Sequence, residues 1–350
     1  SHHVQVGIYS LDQLKTVFLK TGEPLDQYLT NIAWSPNEEH LYVVHLNRDQ
    51  NHLQLKQYDA RTGDLQKTIL EETGEAYVEP EHPMIFLKDR PDEFLWFSER
   101  DGFQHLYHYK LDGTLIRQLT SGNWEVTDFL GTDENGTHIL LAGTGENATE
   151  RHIYRVDLSN GKRQQLTKEA GMHRGVLHPD GHHLIQHFSS IDVPHRVTAT
   201  TSAGKQVGTL LEAANPLEEY AIGTTELLTI KAKDGTELHA RMIKPHDFDP
   251  KRKYPVLVYV YGGPHAQLVL NTWLGGAPMW MHHMANRGYL IFTVDNRGSA
   301  HRGLAFEQAT FRNLGQLEMQ DQLDGVAYLK GLDYVDPDRL AVHGWSYGGF

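Results

Sequence analysis

Residues 340–350 read Leu340-Ala341-Val342-His343-Gly344-Trp345-Ser346-Tyr347-Gly348-Gly349-Phe350. An apolar run enters a G-x-S-x-G pentad, Gly344 to Gly348, without a break. Such a pentad directly after a parallel strand makes a sharp turn that lifts the serine above the carboxyl edge of the sheet, where ligands bind. The serine is held in strained dihedrals, and the residues two before and two after it must be small. Gly344 and Gly348 meet that requirement. Ser346 is therefore the expected nucleophile. The competing reading is a glycine-rich turn carrying a surface serine.

The residues before the pentad supply the context it needs. Residues 255–261 and 289–294 are continuous apolar runs of the kind buried on both faces of a parallel sheet, and 340–342 reads as a third buried strand. A helix is expected from Met279 to Gly288. A second, amphipathic helix is expected from Leu317, Met319, Leu323, Val326, Ala327 and Leu329, which recur at helical spacing. Residues 225–230 and 238–243 read as antiparallel strands joined at Asp234-Gly235. Strand, helix, strand, helix, strand predicts an α/β domain over 217–350. An acyl-transferring serine also needs two oxyanion donors. One is the backbone N–H of Tyr347. The other is expected from the loop Tyr261-Gly262-Gly263-Pro264-His265, which follows a buried strand; a turn that merely needs glycine is the alternative.

The general base is not evident. In α/β-hydrolases the acid and then the histidine follow the serine, yet all 23 histidines precede Ser346. His343 is expected to face the core or a neighbouring helix, and His265 lies in the oxyanion loop; neither is favoured as the base. The expectation is that the chain stops short of the acid and the base, and that it begins inside a structural repeat.

That repeat fills residues 1–212. Leu41, Phe94, Ile139 and Leu184 each open a short apolar run after a turn-forming cluster, at steps of 53, 45 and 45 residues. Hairpin signals at Thr62-Gly63, Asp112-Gly113 and Asn160-Gly161 keep similar time. About 45 residues holding four short strands is the pattern of a β-propeller blade. About four blades fit, with the tail of an earlier one at residues 6–19. A generic β-sandwich is the alternative.

Composition bounds the chemistry. The 350 residues contain no cysteine, which removes thiolate nucleophiles, cysteine-ligated zinc and iron–sulfur clusters. The net charge of −13 and pI near 5.9 argue against a nucleic-acid binder. No apolar stretch is long enough to span a membrane as a helix. The pairs His2-His3, His182-His183 and His282-His283 lack the i, i+4 spacing of a helical metal site, so scattered surface histidines are expected and neither a metal nor a cofactor is. Glu38-Glu39, Glu71-Glu72 and Glu218-Glu219 read as solvated pairs. Asp295 and Asp321 read as structural acids. Asn135-Gly136-Thr137 and Asn147-Ala148-Thr149 are glycosylation sequons of consequence only in a secretory pathway.

Several segments together resemble one family. His343 to Phe350, Tyr259 to Gln267, Val294 to Ser299, Leu314-Gly315-Gln316, Asp321-Gln322, Ser98 to Gly102 and Thr120 to Val126 are similar to the dipeptidyl peptidase IV and prolyl tripeptidyl aminopeptidase branch of the prolyl oligopeptidase serine peptidases. Gly171-Met172-His173-Arg174 leans toward the tripeptidyl enzymes. The resemblance implies a β-propeller followed by an α/β-hydrolase domain that releases di- or tripeptides after proline from a free N-terminus. It implies Ser346 as nucleophile, the Tyr261 phenol and the Tyr347 N–H as oxyanion donors, and the Tyr347 ring as a wall of the proline pocket. Trp345 should pack beneath the elbow. The paired glutamates that hold the substrate ammonium would precede residue 1. A homodimer and, in bacteria, export are also implied; the residues themselves do not read out the compartment. An esterase or acyl-peptide hydrolase on the same scaffold, and a catalytically incomplete binding propeller, are the rival readings.

Overall fold

The computed structural model describes residues 2–350. The chain packs as two compact units. The first runs to Gly122 and adds Asn135–His138 and Asp157–Lys162; the second holds Asn123–Glu134, Ile139–Val156 and Arg163–Phe350.

The N-terminal part is built of antiparallel meanders. A two-stranded ribbon, β1 (Gly7–Ser10) and β2 (Lys15–Phe18), comes first. Two four-stranded sheets follow: β3 (Tyr28–Trp34), β4 (His40–Leu46), β5 (His52–Asp59) and β6 (Leu65–Thr73), then β7 (Ile85–Leu87), β8 (Arg90–Ser98), β9 (His105–Lys110) and β10 (Leu115–Gln118). Two more complete the series: β11 (Val126–Thr132), β12 (His138–Gly143), β13 (His152–Asp157) and β14 (Arg163–Gln165), then β15 (Met172–Leu177), β16 (His183–Ser189), β17 (Arg196–Thr201) and β18 (Gln206–Glu212). These are propeller blades. The four periodic apolar positions, Leu41, Phe94, Ile139 and Leu184, each lie in the second strand of a blade and are at most 2% exposed.

A second periodicity lies in the polar residues. His105 opens β9, and its Nδ1 is 3.0 Å from the hydroxyl of Thr120, which also accepts the Leu106 N–H at 3.0 Å. Forty-seven residues later, His152 opens β13; its Nδ1 is 3.2 Å from the Thr167 hydroxyl, which accepts the Ile153 N–H at 3.0 Å. The hydroxyl caps two buried groups that the ladder leaves over. Here the expectation of surface histidines is corrected: His45, His105, His108, His152, His173 and His282 are all buried. A neutral imidazole carries two hydrogen-bonding nitrogens on a largely apolar ring, so it can be buried where hydroxyls or carbonyls meet it. Glu72 is likewise no solvated acid. It accepts from Trp96 Nε1, Ser98 Oγ and Arg100, and thereby ties β6 to β8.

The C-terminal part carries one mixed sheet, β19 (Thr225–Lys231), β20 (Glu237–Ile243), β21 (Tyr254–Val260), β22 (Leu290–Val294) and β23 (Val335–Gly344), in the order β19-β20-β22-β21-β23. β21 runs parallel to both β22 and β23. Helix α1 (Met279–Asn286) covers one face through Met281 and Ala285 against Ile243 and Ile291. Between β22 and the last helix lies a single turn, α2 (Leu304–Glu307). Helix α3 (Leu317–Lys330) covers the other face, where Leu329 packs with Val256, Val258, Phe292 and Val294.

Two expectations change. Among the described residues β23 pairs with β21, and Val342 is 70% exposed where a buried strand is expected. Helix α3 does not present an apolar stripe to the sheet. Its buried residues are Glu318, Asp321, Gln322, Gly325 and Leu329, while Met319 and Leu323 are exposed. At Gly325 a side chain would crowd the Phe292 ring at 3.2 Å, so the glycine lets the helix lie close to the sheet.

Two outcomes are expected. Thr167→Val keeps the shape but strips the acceptor from the buried Ile153 N–H and the partner from His152, and should cost about 2 kcal/mol in urea unfolding. Burial, with Lys56 adding to it at His45, holds His45 and His173 neutral, with pKa values lowered to about 4. An unfolded histidine titrates near 6.5, so between these values the unfolded chain binds more protons. Their contribution to stability is whole above about 6.5 and is lost as pH falls toward 4, which equilibrium unfolding across pH 4–7 will register.

Candidate active site

The strand β21 delivers Tyr261 to its carboxyl end, and β23 beside it delivers the pentad. Ser346 has φ of +55°, a left-handed conformation that serine adopts only under constraint. The constraint is visible in the two glycines. A Cβ on Gly344 would stand 1.9 Å from the Gly348 carbonyl oxygen, and one on Gly348 would stand 2.0 Å from the Val260 carbonyl oxygen. Only glycine lets the turn fold on itself and press against β21. Ser346 is exposed at its tip.

The loop after β21 closes on the same place. A Cβ on Gly263 would meet the Tyr347 side chain at 3.1 Å, and the Tyr261 and Tyr347 ring centroids are 6.4 Å apart. The three residues singled out in the sequence, Ser346, Tyr261 and Tyr347, are thus brought together. Trp345 is 79% exposed among the described residues. His343 stacks against Tyr259, 6.0 Å between centroids, and meets Trp280 of α1 edge-on at 5.2 Å, as expected for a ring facing a neighbouring helix. His265 Nε2 lies 3.4 Å from Glu307.

What fixes these loops is the polar inner face of α3, which the apolar periodicity did not disclose. Asp321, wholly buried, accepts the Arg297 backbone N–H at 2.8 Å and grips its guanidinium through Nε at 3.1 Å and Nη2 at 2.6 Å. Gln322 donates to Asn296 Oδ1 at 2.9 Å, and Asn296 Nδ2 donates to the Gly262 carbonyl at 3.0 Å. Glu318 accepts the Tyr347 hydroxyl and the Gly315 N–H. Burial opposes charge on Glu318, but the bonds from Tyr347 and from the N–H groups at the start of α3 outweigh it and hold its pKa below the usual range. The Tyr347 phenol is correspondingly pushed up to about 12, first by burial and then by its bond to Glu318. The signal in the sequence was the spacing 318, 321, 322, 325, one face of a helix.

Asp295 serves as the structural acid expected of it. It is buried, and its carboxylate accepts the N–H groups of Leu268 and Val269 at 2.9 Å each. Burial raises its pKa to about 6 against those bonds and the Arg241 charge. Arg241, 2% exposed, donates to the carbonyls of Leu268 and Gly275 and to Thr293 Oγ1. Residues 262–276 are therefore fastened from beneath at several points. Tyr261 and Tyr347 also line a cavity of about 590 Å³ with Val260, Leu323 and Val342.

Comparison with known proteins agrees with this arrangement. Residues 1–195 match the dipeptidyl peptidase IV N-terminal region, and residues 279–350 match the prolyl oligopeptidase family. Mouse dipeptidyl peptidase 8 is 30% identical over 93% of the chain and 43% of its own length. A crystal structure of a candidate dipeptidyl aminopeptidase IV from Bacteroides ovatus is 42% identical with a TM-score of 0.94, over all of this chain and 52% of that one. Dipeptidyl peptidase 4 of Porphyromonas gingivalis is 31% identical with a TM-score of 0.90, over 99% of this chain and 49% of that one. The chain spans about half the length of the relatives it matches. With a propeller part, an α/β-hydrolase part and a serine elbow in matching order, the chain belongs to the dipeptidyl peptidase IV branch of the prolyl oligopeptidase family.

Proposed function

We propose that the protein is a serine exopeptidase that releases N-terminal di- or tripeptides after proline through an acyl-enzyme on Ser346. The observation that carries this reading is the strained, exposed Ser346, whose neighbour Tyr347 meets the Tyr261 ring, in a chain related to dipeptidyl peptidases. In the proposed reaction Ser346 Oγ attacks the carbonyl carbon of the proline residue. The developing oxyanion accepts from the Tyr261 hydroxyl and from the Tyr347 N–H. Collapse of the tetrahedral intermediate breaks the C–N bond and expels the remaining peptide as an amine; water then hydrolyses the ester. A general base must take the Oγ proton, and that role is not given to His343 or His265, whose rings are engaged with Tyr259 and Trp280 and with Glu307. The Tyr347 ring, held between Glu318 and Gly263, is a flat wall suited to a pyrrolidine ring. No described helix is long and apolar enough to cross a membrane. The propeller part is taken to run to residue 212 and the hydrolase part from 217. A homodimer is the proposed assembly, which light scattering on the intact protein would read.

The test is a fluorophosphonate probe on the intact protein. Labelling is expected on Ser346, and a folded protein that takes up no label there overturns the reading. Gly348→Ala drives a methyl into the Val260 carbonyl and should lower labelling at least a hundredfold, on the scale of a displaced oxyanion donor. An Ala-Pro anilide should be cleaved and its N-acetyl form should not; equal rates would exclude selection of a free amine.

A further inference from the structure

The loop that begins at Tyr261 does not end at the serine. Four residues on, His265 enters the wall of a second cavity of about 1170 Å³, lined by blade residues from β11, β15 and β16 and by the loop itself. Four residues of chain reach at most ~14 Å, so this wall begins within one short peptide length of the oxyanion tyrosine.

Its lining is donor-rich and carries two arginines in a chain of net charge −13. Arg151, Arg174, His187, His195 and His265 face it, and Asp128 is the one carboxylate among the described lining residues. Arg151 is fastened: it donates to the carbonyls of Ala148 and Glu150 and, at 2.8 Å, to Gln267 of the loop. The Arg174 side chain is exposed and makes no hydrogen bond or ion pair among the described residues. Burial chiefly, opposed by nearby carboxylates and aided by the Arg174 charge, lowers Arg151 to about 10. His187 Nδ1 and His195 Nε2 are 3.0 Å apart. Whichever ring donates in that pair, one ring N–H is left over for a ligand.

We propose that this cavity is the leaving-peptide site and takes a carboxylate, either the C-terminal carboxylate of a short substrate or an acidic side chain beyond the scissile bond, with Arg174 as its anchor. The inference rests on the exopeptidase reading. Its logic is the sign of the charge. The amino-terminal portion of a substrate brings an ammonium, which two arginines repel. The portion released as the new amine carries the carboxylate that they attract. A loop shared with the oxyanion tyrosine, and tied to a blade through Arg151 and Gln267, holds the anchor at a set distance from the bond to be cut.

The experiment compares Ala-Pro followed by two, three or four alanines, each as the free acid and as the C-terminal amide, on the intact protein. The acid is expected to exceed the amide in kcat/KM about tenfold at one of these lengths, the worth of one charge-assisted hydrogen bond. The readout is the acid-to-amide ratio, because a folding defect lowers both substrates together. Arg174→Ala should bring the ratio to near one, and Arg174→Lys should restore part of it. A ratio near one at every length in the unaltered protein overturns the proposal, as does a ratio that Arg174→Ala leaves unchanged. Failure of the exopeptidase reading is distinguishable, since it removes Ser346 labelling and cleavage of the anilide.

Discussion

The candidate site depends on a helix whose inward face is polar. Asp321 on α3 receives three donors from Arg297, one from the backbone and two from the guanidinium, with no exposure to solvent. A buried ion pair is a doubtful source of net stability because both charges must be desolvated. Its value here is geometric. The bidentate fork fixes the loop after β22 in one orientation, and removal of either partner would strand a charge. The neighbouring Gln322 and, one turn earlier, the carboxylate of Glu318 extend the same face. Gln322 reaches Asn296, which holds the Gly262 carbonyl, and Glu318 holds the Tyr347 phenol. One helix face thus sets the ends of two loops that come from different strands.

The serine turn is fixed by a different force. Gly344 and Gly348 admit backbone contacts that any side chain would abolish. The resulting strain at Ser346 persists because β21 and β23 are paired in register from Val256 and Leu340 through Val260 and Gly344. Hydrogen bonding of the sheet and steric closeness of the loop therefore support each other. Beneath, Asp295 and Arg241 bind the N–H and carbonyl groups of residues 268–275, which have no ladder to satisfy them. The same segment then borders two surfaces, Tyr261 and the serine turn on one side and the cavity lined by Arg151 and Arg174 on the other.

In the blades, apolar periodicity and polar periodicity do separate tasks. Leu41, Phe94, Ile139 and Leu184 fill the cores. The histidine and threonine pairs at 105 and 120, and at 152 and 167, tie the third strand of a blade to the segment that ends its fourth. A composition count treats these histidines as surface residues because it cannot see that a hydroxyl waits for each ring.

The sequence by itself determined what short-range chemistry determines. Blade spacing, the antiparallel pair around Asp234-Gly235, the parallel strands and the serine pentad are all written in local alternation, turn residues and obligatory glycines. The placement of Ser346, Tyr261 and Tyr347 just past two strand ends was legible for the same reason, because it follows from their neighbours in the chain. The tertiary structure alone decided the rest. It placed Glu318, Asp321 and Gln322 inward and Met319 and Leu323 outward, because the loops packed on α3 offer donors and acceptors rather than apolar surface. It drew Glu72 onto Trp96 and Arg100, and gathered Arg151, Arg174 and the His187–His195 pair around one cavity. Glu72 meets Trp96 and Arg100 across 24 and 28 residues, and burial of a polar side chain is favourable only when such a partner arrives.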